Sequence, residues 1–309
     1  MSKGAEYMKN EFFYPSKDGI TKIHAIEWVP EGEVKAILQI CHGMVEHIDR
    51  YDEFARFMVS KGFYVVGHDH LGHGKSVTSN EKLGYFHHPN GNEAVISDIH
   101  QLRELTQEKY PNLTYFMMGH SMGSFLLRQY LGLHSEGLSG AVIMGTGYKS
   151  DFIAYAGIFT CKLLSIFKGW EHRSKFVNNT AVGGYEKKLG LSWISKNPEN
   201  QEKYLNDPLC NFIFTLNAYY NLFLGISLMN AQEKECKVLK SLPMFFVSGA
   251  EDPVGECGKG VEKVVSLYRQ RGYQNVQMKL YLDATHEIIN ELDREVVYKD
   301  IFDFLQNLI

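Results

Sequence analysis

The chain has 309 residues, 44% apolar and 22% charged, which excludes a disordered or collagen-like chain and allows one large domain or two small ones. Its 32 Lys and Arg against 36 Asp and Glu give a formal charge of −4. With no basic stripe to follow a phosphate backbone, nucleic acid is not an expected partner.

Residues 1–14 carry Lys3, Glu6, Lys9 and Glu11 without an apolar run and do not read as a secretory leader. From there the chain alternates strand-like and helix-like segments. Strands are predicted at 20–29, 34–41, 63–69, 113–118 and 140–144, with helices at 51–60, 93–110 and 122–134 between them. In the second helix Val95, Ile99, Leu102 and Leu105 recur at near-helical spacing, and 140–144 is apolar throughout, as in a parallel strand covered on both faces. Repeated βαβ units predict an α/β fold: an open, mostly parallel sheet with helices on both faces.

The alternation stops near Gly147. Residues 148–236 contain no convincing strand and are rich in Phe, Tyr, Leu and Trp, so they are predicted to form a helical insertion. Within it, 208–232 lacks charge over a length that could span a bilayer. Asn211, Thr215, Asn217, Asn221 and Gly225 share one side of that stretch, which predicts buried or interfacial helices instead of a span. Alternation then resumes with strands at 243–248 and 276–282 and helices at 260–271 and 294–309. The expected organisation is one core, 1–147 with 237–309, interrupted by 148–236.

Cys41, Cys161, Cys210, Cys236 and Cys257 are widely spaced and include no C-x-x-C pair, so neither a disulfide framework nor a zinc site is indicated. Free thiols and the lack of a leader set the cytoplasm as the expected compartment.

The chemistry begins at Gly119-His120-Ser121-Met122-Gly123, a G-x-S-x-G placed between a predicted strand and a predicted helix. That context is the one a strand–nucleophile–helix elbow requires, and it makes Ser121 the candidate nucleophile. A serine needs a base and the base needs an orienting acid, in the order nucleophile, acid, histidine. Asp252 and His286 follow the ends of the two strands after the insertion, at the sheet edge where open α/β sheets place their sites. Glu251 and Glu256 remain rivals to Asp252. For the oxyanion, the N–H of Met122 at the helix start and the N–H of Met44 in the loop after the second predicted strand are the expected donors. The run 209–229 suits contact with an acyl chain, with Phe214 and Leu222 as its candidate lining residues.

Four separated motifs, His42-Gly-Met-Val-Glu-His47 through Tyr51, Gly67-His-Asp-His-Leu-Gly-His-Gly-Lys-Ser76, Gly119–Gly123, and Asp252 with His286, resemble the monoacylglycerol lipase and lysophospholipase group of serine α/β-hydrolases, with 249–255 and 285–291 nearer its bacterial branch. The resemblance implies an eight-stranded, mostly parallel sheet with a helical lid inserted at the Gly147 break. It also implies cleavage of a small acyl ester by the triad Ser121, Asp252 and His286 with no cofactor or metal, while the uncharged run 209–229 suits transient contact of the lid with a lipid surface. A short-chain carboxylesterase or an aminopeptidase-like hydrolase is the alternative on the same fold. Two other classes compete with it: a non-catalytic receptor, and a metal hydrolase built on His68-Asp69-His70-Leu71-Gly72-His73. The latter has Gly72 where the H-x-H-x-D-H motif needs its aspartate, so Asp69 is expected to bond loop amides instead.

Overall fold

The computed structural model describes residues 7–309. Its strands are β1 (Tyr7–Pro15), β2 (Lys22–Pro30), β3 (Ala36–Cys41), β4 (Phe63–His68), β5 (Thr114–His120), β6 (Gly140–Met144), β7 (Met244–Gly249) and β8 (Val276–Tyr281). The helices in chain order are α1 (Asp52–Ser60), α2 (Gly91–Lys109), α3 (Met122–His134), α4 (Asp151–Lys168), α5 (Lys175–Asn178), α6 (Gly184–Leu189), α7 (Pro198–Asn206), α8 (Leu216–Lys234), α9 (Lys259–Gln270) and α10 (Arg294–Gln306).

All eight strands join one sheet in the order β1-β2-β4-β3-β5-β6-β7-β8. The β1–β2 and β2–β4 pairs are antiparallel, and the rest are parallel. Strands β3, β4, β6 and β7 are buried at every position, as the apolar run at 140–144 predicts for its strand. Side chains alternate between two cores. Ile37, Tyr64, Tyr115, Met117, Ile143 and Phe246 meet α2, α3 and α9 on one face. Leu38, Val65, Phe116, Met118, Val142 and Phe245 meet α1 and α10 on the other. Strand β1 has no counterpart in the sequence prediction. Only its Tyr14 is buried, so no apolar run marks it, and backbone pairing with β2 holds it in place.

Between β6 and β7 the described residues form helices joined by turns and loops, and no strand. Most of the uncharged run, 216–232, lies in α8, and among the described residues no helix is long and apolar enough to cross a membrane. The polar side of α8 faces inward. Asn217 Oδ1 accepts from the Phe86 N–H at 3.0 Å and its Nδ2 donates to the His87 carbonyl at 2.9 Å. Asn221 Oδ1 accepts from the Asn92 N–H at 2.8 Å. Gly225 lies so close to this cluster that a Cβ there would stand 2.5 Å from Asn92 Nδ2. At the other end, buried Arg128 donates to both Glu233 oxygens at 2.8 and 3.1 Å. Breaking such a buried pair leaves an uncompensated charge, so this contact fixes α8 firmly on α3. Leu216, Ala218 and Tyr219 belong to the same apolar cluster as α2 and α3. The insertion expected at 148–236 is therefore separate in chain order, while its last helix packs as part of the core.

Candidate active site

β5 ends at His120 and α3 begins at Met122, which leaves Ser121 alone at the turn with φ 52° and ψ −121°. A non-glycine residue holds that conformation only where its surroundings enforce it. The Ser121 N–H donates to the Met144 carbonyl at 3.0 Å. The flanking glycines are needed for close approach. A Cβ on Gly123 would lie 2.1 Å from the Cys41 carbonyl oxygen, and one on Gly119 would lie 2.4 Å from that of Gly123.

The three predicted chemical residues converge on this turn. Ser121 Oγ lies 2.7 Å from His286 Nε2, and His286 Nδ1 lies 2.9 Å from Asp252 Oδ2. Asp252 is fully buried; its Oδ1 accepts from the Val254 N–H at 2.8 Å, and Ser248 Oγ donates to its Oδ2 at 3.2 Å. Burial alone would raise the carboxyl, but the charge and hydrogen bond of His286 and the Val254 amide outweigh it and hold the pKa below the usual range. The rival carboxylates point elsewhere. Glu251 is exposed and pairs with Lys196 at 2.7 Å, and Glu256 is exposed.

Met122 is the first residue of α3, where an N–H has no intrahelical acceptor. Met44, Ser121, Met122 and His286 all line one cavity. The loop bearing Met44 passes against the nucleophile, since a Cβ on Gly43 would lie 3.1 Å from Ser121 Cβ.

Sequence reasoning missed what holds this loop. Glu46, buried, accepts hydrogen bonds from the Gly43 N–H, from Tyr51 Oη at 2.9 Å and from Arg50 Nη1 at 2.9 Å. Its Oε1 also lies 3.1 Å from His120 Nδ1. Arg50 reaches both oxygens of Glu287 at 2.7 Å, and Asn200 of α7 donates to Glu287 at 2.8 Å. The second ring nitrogen of His120 faces the His286 carbonyl at 3.3 Å. With acceptors at both nitrogens His120 favours the imidazolium: burial works against the charge, yet Glu46 outweighs it and raises the pKa. One charged network thus joins the Met44 loop, the residue before the nucleophile and the residue after the histidine. The Glu46–Arg50 i,i+4 spacing was the available sequence sign of it.

The insertion is tied directly to the histidine loop. His286 and Glu287 donate their N–H groups to the carbonyls of Trp193 and Ile194 at 3.3 and 2.7 Å. The Trp193 ring stands 5.4 Å from that of His286. Insertion residues Phe152, Ile153, Leu222, Phe223 and Ile226 complete a cavity of about 1220 Å³ leading to Ser121. Leu222 is therefore on the cavity wall as expected. Phe214 is not: it is fully buried among His73, Phe86, Phe212 and Tyr219, because the chain entering α8 runs into the core.

The histidine-rich motif also serves the core. Asp69 accepts from the Ile48 and Lys75 amides at 2.9 and 2.8 Å and contacts His24 Nδ1 at 2.8 Å, the loop-bracing role expected of it. His42, His68, His70 and His73 are fully buried around it.

Residues 32–293 match the model of the family described as serine aminopeptidase, S33. The chain belongs to that family. Among its relatives, the human monoglyceride lipase is 26% identical over 269 residues, spanning 86% of this chain and 80% of that protein. The monoacylglycerol lipase of Mycolicibacterium smegmatis is 23% identical over 296 residues, 95% of each chain. A thermostable carboxyl esterase from Bacillus coagulans, solved in complex with glycerol, superposes with a TM-score of 0.88 at 30% identity over 97% of this chain and 98% of that one. The family membership and these relatives bear out the resemblance read from the four motifs, and with it an α/β-hydrolase fold.

Proposed function

We propose that the protein is a serine ester hydrolase that cleaves monoacyl esters of glycerol-type alcohols, monoacylglycerols or lysophospholipids, through an acyl-enzyme on Ser121. The observation that carries this reading is the continuous line Ser121–His286–Asp252 opening onto a large apolar cavity. In the reaction His286 Nε2 takes the Ser121 proton as Oγ attacks the acyl carbonyl, then returns it to the departing alkoxide oxygen. Asp252 keeps the proton on Nδ1 and stabilises the imidazolium. The Met44 and Met122 N–H groups receive the oxyanion, and water then releases the acid by the same steps in reverse roles.

The named activities of the relatives support an ester substrate with a glycerol-like alcohol. An aminopeptidase would need a carboxylate to hold the substrate ammonium. Glu46 and Glu287, the carboxylates among the described cavity residues, are both committed to Arg50. That favours a neutral head group. We assign residues 148–236 the role of a lid. Its α4 displays Phe152, Tyr155, Phe159, Leu163 and Ile166 outward, from 44% to 81% exposed and three or four residues apart, which suits docking on a lipid surface. All five cysteines are free, which supports a reducing, cytoplasmic setting.

The test is initial rates on monoacylglycerols, lysophospholipids, acetyl esters and aminoacyl amides, measured side by side. Each methylene buried in the cavity contributes about 0.8 kcal/mol, roughly fourfold in kcat/KM, so medium and long chains should exceed acetyl esters by on the order of 10² or more. Leu222→Asp should erase most of that preference while sparing acetyl-ester turnover. Faster turnover of acetyl esters or amides would overturn the substrate assignment.

A further inference from the structure

Buried cysteines in this protein fall into two kinds. Cys41 and Cys161 are members of the main apolar cluster, packed like small aliphatic residues. Cys210 is 2% exposed but belongs to none of the apolar clusters. It ends the short turn Pro208–Cys210 that Asp207 caps, with Asp207 Oδ1 accepting from the Leu209 N–H at 2.8 Å. The other Asp207 oxygen lies 2.7 Å from His47 Nε2. The ligand atoms of His47, Asp207 and Cys210 all lie within 4.8 Å of one another. We infer that His47 Nε2, Asp207 Oδ2 and Cys210 Sγ form a binding site for one thiophilic divalent cation of the zinc type, linking the loop after β3 to the insertion.

The chemistry of the donor set fits such an ion. One thiolate, one neutral imidazole and one carboxylate are the ligand types that zinc prefers, and together they carry a charge of about −2. Tetrahedral bonds of about 2.0–2.3 Å would hold neighbouring donors roughly 3.3–3.8 Å apart. The His47–Asp207 contact, 2.7 Å, would open by about half an ångström, and the thiol already lies within 4.8 Å of both other donors. On binding, the Cys210 S–H proton leaves to solvent, and His47 carries its proton on Nδ1 so that the Nε2 lone pair meets the metal. The Arg50 charge close by does not oppose the cation, because Glu46 and Glu287 already neutralise it.

Access and a fourth ligand are also provided. His47, Asp207 and Pro208 border a second, polar cavity of about 600 Å³ between α1 and α7, while Cys210 borders the apolar cavity. The site therefore stands in the wall between the two, where a water from the polar side can complete a tetrahedron. Its partners are 160 residues apart along the chain, which is why cysteine spacing gave no sign of it. A bound ion would fasten the loop that carries Met44 to the lid.

Cobalt(II) titrated into the metal-free protein tests this, with circular dichroism confirming that each variant is folded. The expected result is one equivalent bound with a thiolate-to-cobalt charge-transfer band, displaced stoichiometrically by zinc. Cys210→Ser should abolish the band, His47→Ala should weaken binding at least about tenfold, and Cys257→Ser should change neither. Zinc should raise the Tm of the unaltered protein and not that of Cys210→Ser. If Cys210→Ser does not fold, Asp207→Asn must show the weakened binding instead. Absence of the band, or its survival in Cys210→Ser with loss in Cys257→Ser, would overturn the site, whatever the outcome for ester hydrolysis.

Discussion

His286→Ala and Asp252→Asn are each expected to lower kcat on the order of 10⁴-fold, about 5.4 kcal/mol of barrier, while leaving the fold intact. Without His286 the Ser121 hydroxyl at 2.7 Å loses its proton acceptor. An asparagine at 252 retains the shape, but its amide can present N–H to His286 Nδ1 and turn the proton to Nε2, where it blocks the attack on Ser121. KM should move little, because the insertion side chains that wall the acyl cavity are unchanged. Glu251→Gln and Glu256→Gln should stay within about twofold of the unaltered protein, since both side chains are exposed. Steady-state kinetics on a chromogenic ester checks all four. A mild Asp252→Asn with a severe Glu251→Gln would reassign the acid.

The second large effect concerns stability in acid. Burial lowers the pKa of His68 and of His73 to about 4. Burial, reinforced by neighbouring imidazoles, also holds His42 and His70 well below the usual histidine range. A depressed histidine pKa means that the unfolded chain binds more protons, so stability falls as pH drops from about 6.5 towards 4. By pH 5 each of His68 and His73 should cost about 2 kcal/mol, and His42 and His70 add to it. The groups facing the cluster include Asp69, whose low pKa deepens the loss at still lower pH, and His24, whose raised pKa works weakly the other way. Asp98, pushed up to about 7 by burial, also opposes the loss as it gains its proton in the fold. One such carboxyl does not reverse the sign set by four imidazoles. Urea unfolding at pH 7.5 and pH 5 should show a drop of several kcal/mol. His73→Phe, placed among Phe86, Phe212 and Phe214, should make that drop smaller by about 2 kcal/mol. Equal stability at the two pH values would contradict the neutral, buried state of these rings.

What could be read from the sequence divides along a physical line. Strands β2 to β7 and the sheet-covering helices announce themselves through local apolar patterning because the sheet is covered on both faces there, and β8 does so through its alternation of apolar and exposed polar residues. Ser121, Asp252 and His286 were legible because each follows the end of a parallel strand, and they are found in one hydrogen-bonded line. Strand β1 was not legible because most of its side chains are exposed, so no apolar run marks it, and backbone pairing with β2 holds it. Phe214 was misplaced because nothing local tells whether an aromatic residue in an uncharged run faces a cavity or the core. The shared polar side of α8 was legible from its spacing, but its partners, the amides at Phe86 and Asn92, were not, because they are remote in sequence. The Glu46–Arg50–Glu287 network likewise depends on a contact between residues 237 positions apart.

The acyl-enzyme assignment is tested most directly by intact-mass analysis after reaction with a serine-directed alkyl phosphonate, followed by peptide mapping. One adduct per chain is expected, located on the peptide that carries Ser121, formed slowly in His286→Ala and absent from Ser121→Ala. Undiminished labelling of Ser121→Ala, or an adduct on a different serine, would contradict the assignment of Ser121 as the nucleophile.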